Sequence, residues 1–206
     1  MRSARVALVL VLAAVLGGLL QAPATAAART LATPQFTSWT VVDSRTVTLS
    51  WTPVKGADHY VVEYAPAMRV YTTETTVTIT DLYPGDGHYF TVRAETRRNQ
   101  PSGTSDPIVV PTPPEGPLSP SVARIDYRDG VRVWWTSGIG CATYELATVA
   151  PDGTYTSVQP LYVEYATMWQ VAQDPGTTVT YAVRCASSYG LYSPWSDTTT
   201  YTLEPF

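Results

Sequence analysis

The chain has 206 residues with 13 basic and 17 acidic side chains, so its formal net charge at pH 7 is −4. Proteins that neutralise nucleic-acid phosphates normally show a basic patch, whereas the basic residues here are scattered, with Arg97-Arg98 as the one adjacent pair. We therefore expect no nucleic-acid partner and interpret Arg97-Arg98 as part of a solvated loop.

The N-terminal segment has the pattern of a secretory signal peptide. Two arginines precede an apolar run over residues 6–20, and small residues follow it. The run is shorter than the roughly 20 apolar residues that a membrane-spanning helix needs. We expect cleavage after Ala26, with Ala28 as the competing position, and a secreted, extracellular protein without a transmembrane segment.

After this leader, the first half of the chain shows the period-two alternation that is typical of strands. Residues 47–51 (Val-Thr-Leu-Ser-Trp) alternate apolar and polar side chains, and residues 60–64, 77–79 and 90–94 do the same. Pro, Gly and Asp occupy the segments between them. Several short strands at this spacing indicate an antiparallel β-sandwich.

A proline-rich stretch over residues 111–117 divides the chain into near-equal halves. Its prolines fix φ and withhold backbone donors, so we expect it to stay outside any sheet and to act as a semi-rigid spacer. The predicted organisation is a signal peptide over 1–26, a first domain over 33–112, a linker over 113–117 and a second domain over 118–204.

The second half repeats the pattern of the first. Trp51 and Tyr60 are nine residues apart, and so are Trp135 and Tyr144. A Pro-Gly pair also precedes the predicted sixth strand of each half by the same interval. The halves are therefore divergent copies of one unit.

Taken together, these residues resemble a fibronectin type III domain. In the first half the resemblance rests on Leu49-Ser-Trp51, Pro53, Gly56, residues 60–64, Leu82-x-Pro84-Gly85 and residues 90–94. The second half keeps Trp135, Tyr144 and residues 175–177 and 181–183, although its fifth strand, near 167–171, aligns only with a shift. The resemblance implies an all-β fold of two tandem fibronectin type III-like (immunoglobulin-like) antiparallel β-sandwiches in a secreted bacterial protein.

The resemblance also implies a disulfide in the second domain. Cys141 lies just before the third strand and Cys185 near the end of the sixth, and these two strands are antiparallel neighbours in the family. Because an exported protein reaches an oxidising compartment, we expect a Cys141–Cys185 bond. Two free reactive thiols are the alternative.

The family usually has a tyrosine at the corner that enters the sixth strand, and this chain departs from that pattern. The position is His88 in the first domain and Val179 in the second. Either Tyr89 takes over the role or the corner is held differently. We expect His88 to be structural and not a ligand or an acid–base group, because no Cys, Asp or second His lies at metal-ligand spacing.

Residues 190–196 (Gly-Leu-Tyr-Ser-Pro-Trp-Ser) are similar to the Trp-Ser-x-Trp-Ser box of cytokine-receptor fibronectin domains, with Tyr192 in place of the first tryptophan. In that family the aromatic rings interleave with arginines of the neighbouring strand. The similarity implies that Arg184 stacks on Tyr192 or Trp195 as a structural ladder. It does not make this chain a cytokine receptor.

Aromatic side chains of the second domain are the candidate ligand-binding residues. Trp134 is expected to face outward because its neighbour Trp135 takes the inward position. The further candidates are Trp169, Tyr189, Tyr192 and Trp195. Exposed rings stack on sugars or anchor protein partners. The alternative is that the Trp134 ring covers the linker or the first domain.

No catalytic motif is recognisable in the sequence: there is no nucleophile elbow, no zinc-binding His-Glu-x-x-His and no Gly-rich phosphate loop. We expect no enzyme activity, cofactor or metal. Two small sandwiches leave little room for a glycosidase cleft with two carboxylates. The acids that could form one are interpreted as solvated strand and turn residues: Asp126, Asp129, Glu145, Asp152 and Glu164.

Three functional hypotheses follow. The favoured one is a secreted, non-catalytic binding protein with a protein or cell-envelope partner. The alternative is an accessory polysaccharide-binding protein, which is implied only by the resemblance, since bacterial fibronectin-like domains often accompany polysaccharide-degrading enzymes. The third is a passive spacer.

Overall fold

The described part of the chain is built from fourteen β-strands and contains no helix. The computed structural model describes residues 30–64, 67–117, 119–124, 130–161 and 168–205. The signal peptide predicted over 1–26 lies outside these residues, as do Asp126, Asp129 and Glu164.

The first sandwich consists of seven strands in two antiparallel sheets. The strands are β1 (Phe36–Val41), β2 (Val47–Trp51), β3 (His59–Tyr64), β4 (Met68–Thr72), β5 (Thr76–Ile79), β6 (Gly87–Glu95) and β7 (Ile108–Pro111). One sheet has the order β1-β2-β5 and the other the order β4-β3-β6-β7. Consecutive strands therefore lie in different sheets at β2–β3, β4–β5 and β5–β6, as in an immunoglobulin-like sandwich.

The second sandwich repeats this topology strand for strand. Its strands are β8 (Ser121–Arg124), β9 (Val131–Trp134), β10 (Thr143–Val149), β11 (Tyr155–Leu161), β12 (Met168–Val171), β13 (Thr178–Ala186) and β14 (Thr199–Thr202). The sheet orders are β12-β9-β8 and β11-β10-β13-β14, which correspond to those of the first sandwich. The predicted fold class, two tandem antiparallel sandwiches, is confirmed.

Each core forms where the apolar alternation predicts it. Val47, Leu49 and Trp51 of β2 are buried, while the intervening Thr48 and Ser50 are half-buried on the other face. Trp51 packs edge-on against Tyr60 in the first core, and Trp135 packs against Tyr144 in the second. Full burial of a large apolar side chain contributes roughly 1.5–3 kcal/mol, so these inward rows hold the sheets together.

Trp169 corrects one expectation about exposed aromatic residues. It lies on β12 in register with Val133, which is fully buried, and opposite residues of an antiparallel pair share a face. Its side chain is partly buried against the second core. Trp169 is therefore a packing residue and not an outward ring.

Pro111 corrects a second expectation, that the whole proline-rich stretch stays outside the sheets. Pro111 is the last residue of β7 and is in register with Gly87. Because β7 is an edge strand, a residue without an N–H is tolerated at its end. The chain between Pro111 and Ser121, where β8 begins, includes the predicted linker over 113–117.

Candidate binding site at the junction of the two sandwiches

Residues 190–196, the ladder segment, precede β14 and carry an aromatic ladder on the outward face of the second sandwich. The guanidinium carbon of Arg184 lies 4.1 Å from the centroid of the Tyr192 ring and 4.5 Å from that of Trp195. Trp195 in turn stacks on Tyr155 of β11, with 4.5 Å between ring centroids and 12° between planes. The guanidinium is thus placed between two rings, the arrangement that the sequence similarity implied.

Arg184 is also anchored by an acid on the neighbouring strand. Its Nη2 lies 2.6 Å from Oε2 of Glu145, and its Nε donates to the same oxygen at 2.7 Å. The two side chains are 27% and 15% exposed, so solvent screens this pair less than it would a fully exposed one. Glu145, one of the acids interpreted as solvated, is instead the ion-pair partner of the ladder.

Two serines explain the backbone path of the ladder segment. Ser193 N–H donates to the Cys185 carbonyl at 2.8 Å, and its hydroxyl accepts from Cys185 N–H at 3.1 Å. Ser196 makes the same reciprocal pair with Val183, at 2.8 and 3.1 Å. These bonds hold the segment against β13 although it contains a proline between the serines.

The first sandwich has the same serine scaffold without the rings, a feature that the sequence reasoning missed. Ser102 pairs reciprocally with Ala94, and Ser105 with Val92, at 2.8–3.0 Å. The sequence spacing could have indicated these shared serine positions, since Ser102 follows Ala94 by eight residues and Ser193 follows Cys185 by eight. Only the second sandwich adds aromatic side chains to this frame.

Charged side chains cover the corresponding face of the first sandwich. Arg93, which occupies the position equivalent to Arg184, pairs with Glu63 at 2.5 Å and with Glu95 at 2.8 Å. Arg69 and His59 extend the network at its two ends. The hydrogen bond from Arg93 is the main reason why the pKa of Glu63 lies below its usual value.

A disulfide joins Cys141 and Cys185, which are 44 positions apart in sequence and have 5.4 Å between their Cα atoms. Both cysteines are buried in the second core, and the part of the chain that the structure describes contains no free thiol. The Glu115 carbonyl oxygen lies 3.4 Å from Sγ of Cys141. This is a van der Waals contact, because a disulfide sulfur has no proton to donate. The linker therefore packs against the disulfide.

The linker is bonded to both sandwiches. Gly85 N–H donates to the Pro113 carbonyl at 3.0 Å on the side of the first sandwich, and Glu115 N–H donates to the Ile139 carbonyl at 2.9 Å on the side of the second. Residues 31–206 accordingly form one compact unit. The linker is a packed part of this unit, whereas its proline content predicts only a semi-rigid spacer outside the sheets.

An ion pair fastens the linker to the first sandwich. Arg45, in the turn between β1 and β2, donates from Nε and Nη2 to the two carboxylate oxygens of Glu115, the second bond measuring 3.1 Å. This two-pronged geometry matches the guanidinium fork to the carboxylate. The hydrogen bond from Arg45 holds the pKa of Glu115 below its usual value and raises that of Arg45.

The two sandwiches touch directly where each of them has a glycine, Gly85 in the first and Gly140 in the second. A Cβ atom on Gly140 would overlap the backbone of Pro84 and Gly85, and one on Gly85 would overlap Gly140. A Cβ atom on Gly87 would likewise overlap the Tyr189 hydroxyl. Side chains larger than hydrogen would therefore force the two sandwiches apart at this contact.

A groove of about 540 Å³ lies at this junction. It is lined by three segments: the turn residues Val42, Asp43 and Ser44 of the first sandwich, linker residues 113–116, and residues 192–194 of the ladder segment. Val42 and Tyr192 are 59% and 48% exposed, so the groove is open to partners. Sites between domains are a preferred location for ligands.

The remaining aromatic candidates do not converge on this groove. Trp134 is 39% exposed on the outward face of the β12-β9-β8 sheet, which is the opposite sheet from the ladder. Tyr189 is half exposed, but its hydroxyl abuts Gly87 of the first sandwich. Of the predicted ligand-binding residues, Tyr192 alone lines the junction groove.

The two corners without a family tyrosine are closed in different ways. His88 is buried, and its Nε2 donates to the Tyr83 carbonyl at 3.0 Å. In the second sandwich the Tyr181 hydroxyl donates to Oε1 of Gln173 at 2.9 Å, and the Gln173 amide donates to the carbonyls of Thr177 and Tyr201. Tyr89 is 60% exposed and does not take over the role, so that alternative is wrong.

Among the described residues no group of three His, Cys, Asp or Glu side chains is placed to hold a metal ion. None of the described segments forms a helix of the length and hydropathy needed to span a bilayer.

Comparison with known proteins gives a family for the first sandwich. Residues 32–110 match the model of the fibronectin type III domain. A two-domain fibronectin type III segment of chicken tenascin has 18% sequence identity and a TM-score of 0.53, over 82% of this chain and 98% of the segment. At that identity the likeness shows the fold only. No curated protein matches the chain. The first sandwich thus matches the fibronectin type III domain in sequence, and the second repeats its fold in tandem.

Proposed function

We propose that this protein is a secreted, non-catalytic binding protein that engages a protein partner at the junction of its two sandwiches. The observation that carries the proposal is the groove lined jointly by the first sandwich, the linker and the ladder segment. A site assembled from three separate segments exists only while the sandwiches keep their arrangement. The bonded linker and the glycine contact supply that arrangement.

Export is part of the same proposal. Residues 1–26 have the charge and hydropathy pattern of a signal peptide. The Cys141–Cys185 bond suits an oxidising compartment, where structural disulfides persist. The passive spacer is the weaker hypothesis, since a spacer has no need for a half-exposed tyrosine at the groove.

The test is affinity capture with the exported chain, residues 27–206, as bait for extracellular and cell-surface proteins of the source organism. Tyr192→Ser is compared with Tyr71→Ser, which removes an exposed tyrosine of β4 that does not line the groove. We expect a protein that wild type and Tyr71→Ser retain and Tyr192→Ser loses, and that binds again as a purified component. Retention of every captured protein by Tyr192→Ser would refute the junction as the binding site.

Polysaccharide binding remains the second candidate because Trp134 is exposed on a sheet face. Its weakness is that Trp134 lies on the outward face of the β12-β9-β8 sheet, whereas Trp195 stacks on Tyr155 of the other sheet. The described tryptophans therefore form no continuous platform for a sugar chain. A pull-down on insoluble chitin, cellulose, xylan and peptidoglycan tests it, with Trp134→Ala compared with Trp39→Ala in the first sandwich. Flow-through on all four polymers removes the hypothesis for these ligands.

A further inference from the structure

The chemistry of the junction groove is specific enough to indicate a class of ligand. Its floor is apolar, with Pro113 and Pro114 of the linker beside Val42 and Pro194. Such rigid, apolar surfaces accept an extended segment without ordering cost of their own. The polar groups at its edge decide what that segment must carry.

Asp43 supplies a carboxylate whose charge is not balanced by a base. Its Oδ1 accepts the Arg45 backbone N–H at 2.7 Å, and within the described residues its carboxylate makes no ion pair. The other acid of the groove, Glu115, is already paired with Arg45. Because the chain as a whole is also acidic, with a net charge of −4, the groove attracts positive charge.

Tyr192 supplies an aromatic ring to the same groove as this carboxylate. Arg184 lies over one face of the ring and does not itself line the groove, and Tyr192 is 48% exposed. A guanidinium can contact a tyrosine face and a carboxylate at the same time, because it is planar and carries donors along its edge. The protein already uses this combination internally, since Arg184 contacts Tyr192 and pairs with Glu145.

We infer that the groove binds an extended peptide segment of the partner through an arginine side chain, with the guanidinium on Tyr192 and paired to Asp43. The prolines and Val42 contact the aliphatic part of the segment. This inference rests on the proposed function and names the chemistry of its partner. A neutral or acidic segment would leave Asp43 uncompensated in the groove.

Two matched peptides test the inference by NMR titration of isotope-labelled residues 27–206. One contains a single arginine flanked by prolines and alanines, and the other has citrulline, the neutral counterpart of arginine, at that position. We expect the arginine peptide to shift the signals of residues 42–44 and 192–194 and to bind roughly tenfold more tightly than the citrulline peptide, as one ion pair plus one cation–π contact predicts.

Variants of the groove provide the second arm. Asp43→Asn keeps the hydrogen bond to Arg45 and removes only the charge, and we expect it to weaken the arginine peptide about threefold while leaving the citrulline peptide unchanged. Tyr192→Ser should weaken the arginine peptide by roughly three- to thirtyfold. Asp106→Asn and Tyr71→Ser, which change exposed residues away from the groove, should have no effect.

Equal binding of the two peptides, or full affinity in Asp43→Asn, would overturn the inference, and so would the absence of shifts at millimolar peptide. If the peptide experiment fails in this way but Tyr192→Ser still loses a captured partner protein, the proposed function stands and the partner is recognised by a different ligand chemistry. Loss of the proposed function itself would appear as capture that is independent of Tyr192.

Discussion

At the scale of single residues, the two corners show that the same structural task has different chemical solutions. The corner must satisfy a backbone carbonyl before the sixth strand, and any donor of suitable reach can do so. His88 does this with an imidazole N–H, and the second sandwich uses the Tyr181 and Gln173 pair. Neither solution follows from the family pattern, because each depends on which side chains the fold brings within reach.

Replacing His88 tests its structural role. His88→Phe keeps the ring volume and leaves the Tyr83 carbonyl without its imidazole donor, so we expect a loss of about 1–2 kcal/mol in the free energy of unfolding. His88→Tyr should lose less, since its hydroxyl can donate at this corner. Chemical denaturation measures the difference, with Tyr89→Phe at the exposed neighbouring position as the control. Unchanged stability of His88→Phe would show that the hydrogen bond contributes nothing.

Tyr181 predicts a pH dependence of stability. Burial raises its pKa to about 12, compared with 10.0 for an exposed tyrosine. The unfolded chain therefore loses this proton first, which favours unfolding as the pH rises from 10 towards about 12. The contribution of the raised pKa to the free energy of unfolding is complete below pH 10, and its loss at higher pH amounts to at most about 3 kcal/mol. Comparing wild type with Tyr181→Phe cancels the other tyrosines. Parallel stability curves from pH 9 to 11.5 would contradict the prediction.

At the scale of elements, the two sandwiches share a backbone frame and differ in what is attached to it. The paired serines hold the segment before the last strand in both, and an arginine occupies the same position on the sixth strand. In the first sandwich that arginine, Arg93, joins a network of charges, whereas in the second Arg184 lies between aromatic rings. Divergence between the copies has therefore produced one polar face and one aromatic face.

Removing the central cation should destabilise the aromatic face. Arg184→Ala abolishes two ring contacts and leaves Glu145, which is 15% exposed, without its ion-pair partner. We expect the free energy of unfolding of the second sandwich to fall by about 1–3 kcal/mol. Arg132→Ala, at an exposed position on β9, is the matched control and should cost little. Equal effects of the two substitutions in calorimetry would mean that the ladder is not a stabilising unit.

At the scale of the whole molecule, the relative position of the sandwiches depends on a few contacts. They are the two-pronged Arg45–Glu115 pair, the backbone bonds of the linker and the close approach of Gly85 and Gly140. The groove is a consequence of this arrangement, because its lining comes from both sandwiches and the linker. A change at the contact should therefore alter the groove even when both sandwiches stay folded.

Two glycine variants separate these effects. Gly140 and Gly153 both have positive φ, at 76° and 84°, so alanine imposes comparable backbone strain at either position. Only at Gly140 would the new Cβ meet another segment, the Pro84 and Gly85 backbone, since nothing lies within 4 Å at Gly153. We expect Gly140→Ala to change the interdomain arrangement in small-angle scattering and Gly153→Ala to leave it unchanged. Identical scattering curves would show that the contact does not set the arrangement.

The sequence by itself determined the two tandem sandwiches, several strands of the first one and inward residues such as Val47, Leu49 and Trp51. Alternation of apolar side chains is a local property with a fixed period, and the duplicated spacing of Trp, Tyr and Pro-Gly reports the same unit twice. The family resemblance added the cysteine pairing and the stacking of Arg184. These features depend on neighbouring strands whose order is common to the fold.

The tertiary structure alone decided the corner donors, the inward position of Trp169, the packing of the linker and the groove. Each of them depends on residues far apart in sequence, such as Arg45 and Glu115, or Gly85 and Gly140. Local patterns carry no information about such pairs, because the approach of one sandwich to the other is set by contacts across their surfaces. For this reason Tyr192, one aromatic residue among several in the sequence, is distinguished as a site residue only by the neighbours that the fold brings to it.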